Sequence, residues 1–397
     1  MKRVLMIAYF FPPCGVVGAI RVAKFAKYLK EFGWLPIVLS VEEKNYEGCQ
    51  ADYSLLSDIP PETPVIHTKV SSSRTLNNIG SKGCRWIPYL LPAALRAIKD
   101  HKVDLVYFTG DPFFQFGMAP LVKRLTKRDY VLDFRDMWTL STYWTINVGR
   151  VKGRLIRALI KRMEYRAIKD SAYSVFVTQG MREKYAEFYK GKGISEDKLV
   201  VIPNGYDLED LSSVVPVSFD RFTIIYTGKF WSFRDPLPFL KAFGLVDADI
   251  QFVHMGYVED DVVRMVKSLG LENRVRFLGY VEHKKCLSYI CGADLLLVIG
   301  GRDKTEPTTK IYEYLATGKP ILALAPRGGE IEGIVKSGKN NTFIDIEEDN
   351  IEEKIGAKIT HYSKARTATT PQLSVNEDFE RRSLTRMLAQ LFDAALG

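Results

Sequence analysis

The sequence predicts an α/β protein built from two Rossmann-like domains that face each other across a cleft. Apolar runs of strand length alternate with segments of helical period along residues 1–207, and the alternation recurs along residues 221–377. The stretch between them, residues 208–220, is polar and is predicted to be a linker. Residues 378–397 have helical period, and we expect this C-terminal helix to cross back and pack on the first domain.

The first domain begins with a βαβ unit that carries a glycine loop. The apolar runs Val4–Tyr9 and Leu35–Leu39 are typical of buried strands. Between them, Gly15 and Gly18 precede a helix that starts at Ala19, where backbone N–H groups could approach a phosphate. The spacing is not that of a dinucleotide-binding fingerprint, so a tight turn explains these glycines equally well.

Two carboxylates follow later strands of the first domain. Asp111 comes after the run Asp104–Phe108, and Asp136 comes after the run Tyr130–Phe134. Because the carboxyl ends of parallel strands meet at one edge of a sheet, both side chains are expected to face the cleft. A helix cap or an ion pair would also explain them, and a cap is the better explanation for Asp111, which precedes a proline.

Residues 150–169 are predicted to form a basic amphipathic helix. Val151, Leu155, Leu159 and Met163 recur every fourth residue, and arginine and lysine fill much of the remaining surface. The simpler interpretation is a helix that packs this apolar stripe on the sheet and exposes its charges to water. The alternative is a helix that lies on an anionic membrane.

The most informative segment of the second domain is Glu306–Leu324. Its sequence, EPTTKIYEYLATGKPILAL, predicts a loop, a helix of about two turns that ends at Gly318, and a buried strand. Thr308 or Thr309 could cap the helix, whose free N–H groups suit a phosphate. Glu313, one turn further on, could accept hydrogen bonds from sugar hydroxyls. The segment is therefore predicted to hold a nucleotide diphosphate.

Composition indicates a globular protein with an uneven charge. The net charge is +9, to which residues 1–200 contribute +13 and residues 201–397 contribute −4. A basic first half suggests an anionic partner such as a membrane leaflet or a phosphate-rich acceptor. Nucleic acid is not expected, because the sequence has no recognition-helix, RNP or zinc-finger pattern.

The cysteines and histidines are dispersed along the sequence. The five histidines and five cysteines give no metal-ligand spacing, so neither a bound metal nor another cofactor is expected. The odd number of cysteines predicts reduced thiols in the cytosol. No apolar run is long enough to predict a transmembrane helix.

Five segments together resemble a known family. They are YFFPPCGVVGAIRVAKFAKYLKEFGW, VTQGMREKY, VIPNGYD, YTGKF and KIYEYLATGKPI. They resemble glycosyltransferase family 4, retaining sugar-nucleotide transferases of the GT-B fold, and the resemblance spans nearly the whole chain. It implies that the C-terminal domain binds the nucleotide sugar and that the N-terminal domain binds the acceptor.

The resemblance also implies roles for individual residues. Glu313 matches the second of the family's paired glutamates, which binds the ribose, and Glu306 lies beside the position of the first. Asp136 is expected to occupy the space where many relatives place a histidine toward the donor sugar. The predicted catalytic residues are Asp136, Glu306, Lys229 and Arg234. The predicted donor-binding residues are Gly15, Gly18, Lys229, Arg234, Tyr280, Val281, Thr308, Thr309, Lys310 and Glu313. The predicted acceptor-binding residues are Arg21 and Asp111.

The sequence thus predicts a retaining glycosyltransferase that moves a sugar from a nucleotide diphosphate sugar to a sugar or lipid-linked acceptor. Its expected setting is bacterial surface polysaccharide or glycolipid assembly, in the cytoplasm at the inner face of the cell membrane. Lys229 and Arg234 would stabilise charge on the leaving diphosphate. Two alternatives stay open, a nucleotide-sugar epimerase of the same fold and a non-catalytic nucleotide-sugar-binding subunit.

Overall fold

The computed structural model describes residues 1–46, 48–73, 82–141, 150–230, 233–305, 308–338, 340–366 and 373–397. The chain divides into two compact units. The first is Met1–Asn204 together with Arg381–Gly397, and the second is Gly205–Glu380. Each unit contains one parallel β-sheet with helices between successive strands, which confirms the predicted α/β class.

The described strands of the first unit form a sheet in the order β3-β2-β1-β4-β5-β6-β7. They are β1 Lys2–Ala8, β2 Trp34–Val41, β3 Val65–Thr68, β4 Leu105–Gly110, β5 Asp129–Phe134, β6 Tyr173–Phe176 and β7 Leu199–Val201. The helices between them are α1 Val17–Tyr28, α2 Lys82–Asp100, α3 Ala119–Thr126, α4 Arg150–Asp170 and α5 Gln179–Tyr189. Central strands such as β4 are buried along their whole length, as expected when helices cover both faces of a sheet.

The C-terminal helix, Arg381–Leu396, belongs to the first unit, as the sequence predicts. Leu384, Leu388 and Phe392 are fully buried in the core beside β1 and α1. Phe392 packs edge-on against Trp34 with ring centroids 5.3 Å apart, and the Trp34 indole N–H donates to Asp393 at 3.0 Å. The apolar face of this helix thus completes the core of the first unit.

The described strands of the second unit form a sheet in the order β10-β9-β8-β11-β12-β13. They are β8 Phe222–Thr227, β9 Ile250–Met255, β10 Val275–Phe277, β11 Leu295–Ile299, β12 Ile321–Ala325 and β13 Thr342–Asp345. The helices are α6 Leu208–Ser213, α7 Leu237–Leu245, α8 Asp260–Ser268, α9 His283–Gly292, α10 Lys310–Ala316, α11 Glu330–Lys336 and α12 Ile351–Lys364.

In both sheets, the direction in which the chain adds successive strands reverses at the centre. From β8 the chain proceeds outward to β9 and β10, and from β11 it proceeds outward the other way to β12 and β13. The same reversal occurs between β1 and β4 in the first sheet. Ligands of open parallel sheets bind outside the carboxyl ends of the strands at such a reversal, so each unit has one place where a site is expected.

Helix α4 does not bury the stripe that its sequence periodicity predicts. Leu155 and Leu159 are 69% and 58% exposed, whereas Ile160, Ala167 and Ile168 face the core. The expectation that this stripe packs on the sheet is therefore wrong for its two leucines. The chain buries a neighbouring face of the helix instead, and that face includes the carboxylate of Glu164, which accepts hydrogen bonds from the hydroxyls of two tyrosines of α5.

The predicted linker, residues 208–220, contains a short helix. Asp207 caps α6 by accepting a hydrogen bond from the Glu209 N–H at 3.0 Å, and Leu211 is buried in the core of the second unit. Most of the polar stretch between Lys69 and Lys82, predicted to be a loop, lies outside the described residues.

Candidate active site

In the second unit, glycines bring the loops after β8 and β9 together. Gly228, after β8, has a φ of +105°, and Gly256, after β9, has a φ of +130°. A Cβ on Gly256 would lie 2.7 Å from the carbonyl oxygen of Gly228, and the Gly228 N–H donates to the Met255 carbonyl at 2.5 Å. Only glycine permits both the backbone conformation and this close approach. The loop after β8 is thereby held against its neighbour.

His254 also holds the loop after β8 in place. Its Nε2 donates to the Gly228 carbonyl at 2.7 Å, and its ring stacks on Phe230 with centroids 4.8 Å apart. Burial lowers the His254 pKa to about 4, so the imidazole is neutral at physiological pH. Phe230 in turn stacks on Tyr226, which extends this support to the strand itself.

Lys310, the first residue of α10, places its ammonium group above this loop. Its Nζ lies 1.7 Å from the position that a Cβ on Gly228 would occupy, and 4.8 Å from the centroid of the Tyr226 ring. Burial, with a further contribution from the charge of Arg234, lowers the Lys310 pKa to about 7. Gly228 is thus needed for the lysine side chain as well as for the turn.

Arg234 is the second cation at this place. Its Nε is buried and, among the residues that the structure describes, has no hydrogen-bond partner. Burial raises the pKa of the Tyr226 hydroxyl to about 12, against the nearby positive charge of Arg234, which lowers it. Two cations that repel each other across a partly buried space, one with an unsatisfied donor, suit a multiply charged anion.

Glu313 lies one turn beyond Lys310 on α10. Its Oε1 accepts a hydrogen bond from His283 Nε2 at 2.7 Å, and the two side chains are 21% and 13% exposed. The adjacent Tyr314 anchors the helix to the sheet, because its hydroxyl accepts from the Thr227 N–H at 2.9 Å. Lys310 and Glu313 are therefore presented by a helix that is fixed to the carboxyl end of β8.

Two predictions for the start of α10 have different outcomes. Thr309 is the N-cap, but its side chain makes no capping hydrogen bond, and Thr308 is buried. The prediction that a threonine side chain caps the helix is therefore wrong for Thr309. Glu306 lies outside the described residues, so its predicted role stays a prediction. Gly318 has a φ of +66° and ends the helix as the sequence predicts.

The side chain of Lys229 contacts Glu259 and Tyr257. Its Nζ forms an ion pair with Glu259 Oε1 at 2.9 Å and lies 5.0 Å from the Tyr257 ring centroid. Tyr280 and Val281 lie between β10 and α9, one residue short of His283, and Tyr280 is 39% exposed. Of the predicted donor-binding residues, Arg234 and Lys310 are thus close enough to interact electrostatically, whereas Lys229 is paired with the carboxylate of Glu259.

In the first unit, Arg135 follows β5 and contacts two other loops, the one after β4 and the glycine loop after β1. Its guanidinium donates to the Gly110 carbonyl and, at 2.8 Å, to the Asp111 carbonyl. A Cβ on Gly18 would lie 1.1 Å from Arg135 Nη1, so the arginine occupies the space above the start of α1. Asp111 and Asp136 follow β4 and β5 and both have exposed side chains, and their predicted position facing a cleft stays a prediction.

Arg21 offers no exposed surface to an acceptor, so its predicted role in acceptor binding is wrong. Its side chain is fully buried and pairs with Asp133 through Nη2 at 2.9 Å and Nε at 3.1 Å. Further donors reach the carbonyl groups of Ile202 and Pro203. Burial is the largest single influence and raises the Asp133 pKa, but the charge and hydrogen bonds of Arg21, together with a hydrogen bond from Tyr107, outweigh it and the pKa is lowered. Arg21 thus joins α1 to β5 and β7 within the core.

Gly15 and its neighbour Cys14 connect the glycine loop to the segment that follows β2. Cys14 forms a disulfide with Cys49, and the Gly15 N–H donates to the Gln50 carbonyl at 2.9 Å. The expectation that all cysteines are reduced is therefore wrong for this pair. The spacing of 35 residues carries no recognisable disulfide signature, which is why the sequence did not reveal it.

Two family models match the chain. Glycosyltransferase Family 4 matches residues 19–210, and Glycosyl transferases group 1 matches residues 221–363. The chain is a glycosyltransferase of the family 4 type. The two matches fall one on each unit, and the second includes the loop after β8, Arg234, His283 and all of α10.

Solved structures share the fold of this glycosyltransferase at low sequence identity. HepE of Anabaena in complex with UDP and glucose is 15% identical, with a TM-score of 0.68 over 99% of this chain and 100% of its own. Sucrose-phosphate synthase of Thermosynechococcus elongatus is 14% identical, with a TM-score of 0.66 over 99% and 98%. UDP-GlcNAc 2-epimerase of Methanocaldococcus jannaschii is 13% identical, with a TM-score of 0.60 over 99% and 99%. No curated protein sequence matches significantly.

Two residues of this glycosyltransferase have contacts that the sequence did not predict. His283 appears in the sequence as one of five dispersed histidines, and only the packing of α9 against α10 brings it to Glu313. Arg135 precedes Asp136, and its side chain, rather than the carboxylate beside it, reaches Gly18. The position of Arg135 after a buried strand was the available signal in that case.

None of the described helices is both long and apolar enough to cross a membrane. Within the same part of the chain, no group of three or more histidine, cysteine, aspartate or glutamate side chains is arranged to hold a metal ion.

Proposed function

We propose that this glycosyltransferase takes its sugar from a nucleotide diphosphate sugar bound to the second unit. The observation that carries the proposal is the pair of cations, Arg234 and Lys310, at the carboxyl end of β8. A diphosphate would lie between them, Glu313 would accept from the ribose hydroxyls, and Tyr280 and Val281 would contact the base. HepE, which shares the fold, has been crystallised with UDP-glucose, and this supports the proposal.

The same cations would also contribute to catalysis. Glycosyl transfer develops negative charge on the leaving diphosphate, and Arg234 and Lys310 would stabilise that charge in a partly buried site. Lys229 would add to it only after leaving its ion pair with Glu259. We propose that this charge makes a bound metal unnecessary. Retention of anomeric configuration, with attack on the face of the leaving group, is the stereochemistry that the family resemblance implies.

For the first unit, we propose that it receives the acceptor beside Arg135, Asp111 and Asp136. Arg135 lies against Gly18 and donates to the Asp111 carbonyl, and both aspartates follow strands at the edge of the sheet where ligands of parallel sheets bind. The exposed carboxylates would accept hydrogen bonds from acceptor hydroxyls.

Helix α4 is proposed to place the enzyme on an anionic membrane. Leu155 and Leu159 are exposed one turn apart, and Arg154, Arg157 and Arg162 are exposed around them. Exposed leucines flanked by arginine fit a lipid surface, where the side chains enter the headgroup layer and the cations meet anionic lipids. This position would give access to a lipid-linked acceptor, at the inner face of the cell membrane, in surface polysaccharide or glycolipid assembly.

The membrane part has its own experiment. Vesicles with and without anionic lipid are sedimented with the wild type, with Leu155→Ser/Leu159→Ser and with Leu245→Ser. Leu245 is 81% exposed on α7 of the second unit and serves as the matched control. Co-sedimentation that requires anionic lipid and the two α4 leucines supports the proposal. Equal behaviour of all three proteins contradicts it.

Turnover of radiolabelled UDP-, GDP- and dTDP-sugars, with lipid extract or with water alone as acceptor, tests the transferase proposal. Transfer of label to a lipid product, lost in Lys310→Met, supports it. An altered sugar that stays attached to the nucleotide would indicate an epimerase. Binding without any turnover would indicate a non-catalytic nucleotide-sugar-binding subunit.

A further inference from the structure

His283 and Glu313 form a close pair although 30 positions separate them in the sequence. His283 is the first residue of α9, and Glu313 is in the middle of α10. The 2.7 Å between Nε2 and Oε1 is that of a strong hydrogen bond, and a carboxylate can only accept, so Nε2 carries the proton. Both side chains are mostly buried, but each retains some exposed surface. The pair is therefore accessible to a ligand.

The surroundings of Glu313 restrict it further. The Cys286 thiol, one turn beyond His283 on α9, is close enough for Glu313 to raise its pKa, although burial is the larger cause. Lys310 lies one turn before Glu313 and interacts electrostatically with the same carboxylate. This interaction raises the lysine pKa, against the larger effect of burial, which lowers it. Glu313 thus makes a hydrogen bond with the imidazole of His283 and interacts electrostatically with the cation proposed to bind the diphosphate.

We propose that His283 is a positioning residue that holds Glu313 in the orientation required to accept hydrogen bonds from the ribose of the donor. The inference rests on the proposed function, since it concerns the nucleotide of that donor. By engaging Oε1, the imidazole fixes the side-chain torsions of the glutamate before the ligand arrives. The remaining acceptor capacity of the carboxylate is then directed by the protein, and less conformational freedom is lost on binding.

This arrangement makes His283 a determinant of ribose recognition. A site built to accept from sugar hydroxyls rejects an analogue that lacks one, because a buried acceptor is left without its donor. That rejection requires a glutamate held in place. His283 should therefore affect discrimination between ribose and 2′-deoxyribose, and leave the binding of the diphosphate by Arg234 and Lys310 largely unchanged.

The competing explanation is that the hydrogen bond only joins α9 to α10. In that case, removing the imidazole lowers the stability of the second unit and weakens every ligand equally. The two explanations therefore differ in the ratio of affinities for ribose and deoxyribose nucleotides, which a general loss of stability does not change.

The experiment measures dissociation constants for UDP and 2′-deoxy-UDP, for GDP and 2′-deoxy-GDP, and for inorganic pyrophosphate. The proteins are the wild type, His283→Ala, His283→Gln and Glu313→Gln, with His361→Ala as the control, since His361 is exposed on α12. The wild type should prefer the ribonucleotide by about tenfold or more, because one hydroxyl contact is lost in the analogue. In His283→Ala the ribonucleotide should bind about tenfold more weakly while its deoxy analogue and pyrophosphate change little.

His283→Gln, which keeps an N–H donor near the position of Nε2, should recover part of the ribose preference. In the Glu313→Gln background, His283→Ala should have no further effect on that preference, since the two residues act as one unit. An unchanged preference in His283→Ala, whether or not its thermal midpoint falls, overturns the inference. If the wild type binds none of the nucleotides, it is the proposed function itself that fails.

Discussion

The ammonium group of Lys310 occupies the space that a side chain at Gly228 would require, with Nζ 1.7 Å from the position of the absent Cβ. The loop after β8 and the helix α10, which are distant in sequence, are therefore matched to each other at one point. Their fit places a cation at the centre of the proposed diphosphate site. It also makes this glycine a sensitive position at which to test the site.

Gly228→Ala should displace Lys310 and weaken binding of a nucleotide diphosphate sugar by about tenfold or more, since a charge-assisted contact is lost. It should also lower the free energy of unfolding by about 1 kcal/mol or more, because φ is +105°. Calorimetry and denaturant titration measure the two effects. The control is Gly333→Ala on α11, where a Cβ meets nothing within 4 Å and alanine should be neutral or stabilising. Equal affinities of the two variants would refute the role of this contact.

Lys310 should make donor binding depend on pH. Its pKa is lowered to about 7 in the free protein, and a bound diphosphate favours the charged form, so binding above that pH takes up a proton. The affinity should therefore be highest near pH 6 and fall by up to about tenfold per unit as the pH rises above 7.

A nucleotide diphosphate sugar is the appropriate ligand for this measurement. The terminal phosphate of a free nucleoside diphosphate itself titrates at about pH 6, as the second ionisation of a phosphate ester does, and this would add a pH dependence of its own. Lys310→Arg keeps its charge throughout and should give a flat profile between pH 6 and 9, whatever its absolute affinity. A wild-type profile as flat as that of the arginine variant would contradict a Lys310 pKa that is lowered in the free protein and rises on donor binding.

Arg21 should contribute to stability and not to acceptor recognition. Arg21→Met leaves Asp133 buried without its charge partner, which should lower the free energy of unfolding by about 3–5 kcal/mol. Chemical denaturation measures this, with Arg157→Met on the exposed face of α4 as the control, where little change is expected. A variant of wild-type stability with a raised KM for the acceptor would restore the role that the sequence predicts.

The Cys14–Cys49 disulfide should be detectable by counting free thiols before and after reduction. Under denaturing conditions, alkylation should modify three thiols before reduction and five after it, since Cys84, Cys286 and Cys291 are free. Replacing the pair with serines should cost about 2–4 kcal/mol of stability, as is usual for a loop of this length. Five thiols in protein isolated under non-reducing conditions would contradict the bridge. A stable bridge would in turn disfavour the proposed cytoplasmic location, because reducing compartments rarely preserve disulfides.

Much of the fold could be predicted from the sequence because burial leaves a periodic record. Parallel strands covered on both faces, such as β1 and β11, are continuous apolar runs, and the C-terminal helix has an apolar stripe at helical spacing. Helix α4 shows the limit of this approach. Its sequence has two overlapping apolar faces, and only tertiary packing determines that Ile160 is buried while Leu159 is exposed.

The candidate site was predicted in part, and the reason lies in the kind of information that each residue carries. Glu313 and Lys310 share one helix, so their proximity follows from local geometry. The contact between His283 and Glu313 depends on how two helices pack, and the ion pair of Lys229 with Glu259 depends on how two loops meet. Arg21 was mistaken for a ligand-binding residue because a basic residue one turn into a helix after a glycine loop has the same local pattern in either role.

Calorimetric titration of the wild type and Glu313→Ala with UDP-, GDP- and dTDP-sugars, with His361→Ala as the control, tests whether Glu313 binds the donor. We predict that the wild type and the control bind at least one of these donors with the same affinity. Glu313→Ala, folded by circular dichroism, should bind it at least about tenfold more weakly. Equal binding of every donor by Glu313→Ala and wild type, or no binding by any of the three proteins, would contradict donor binding through Glu313.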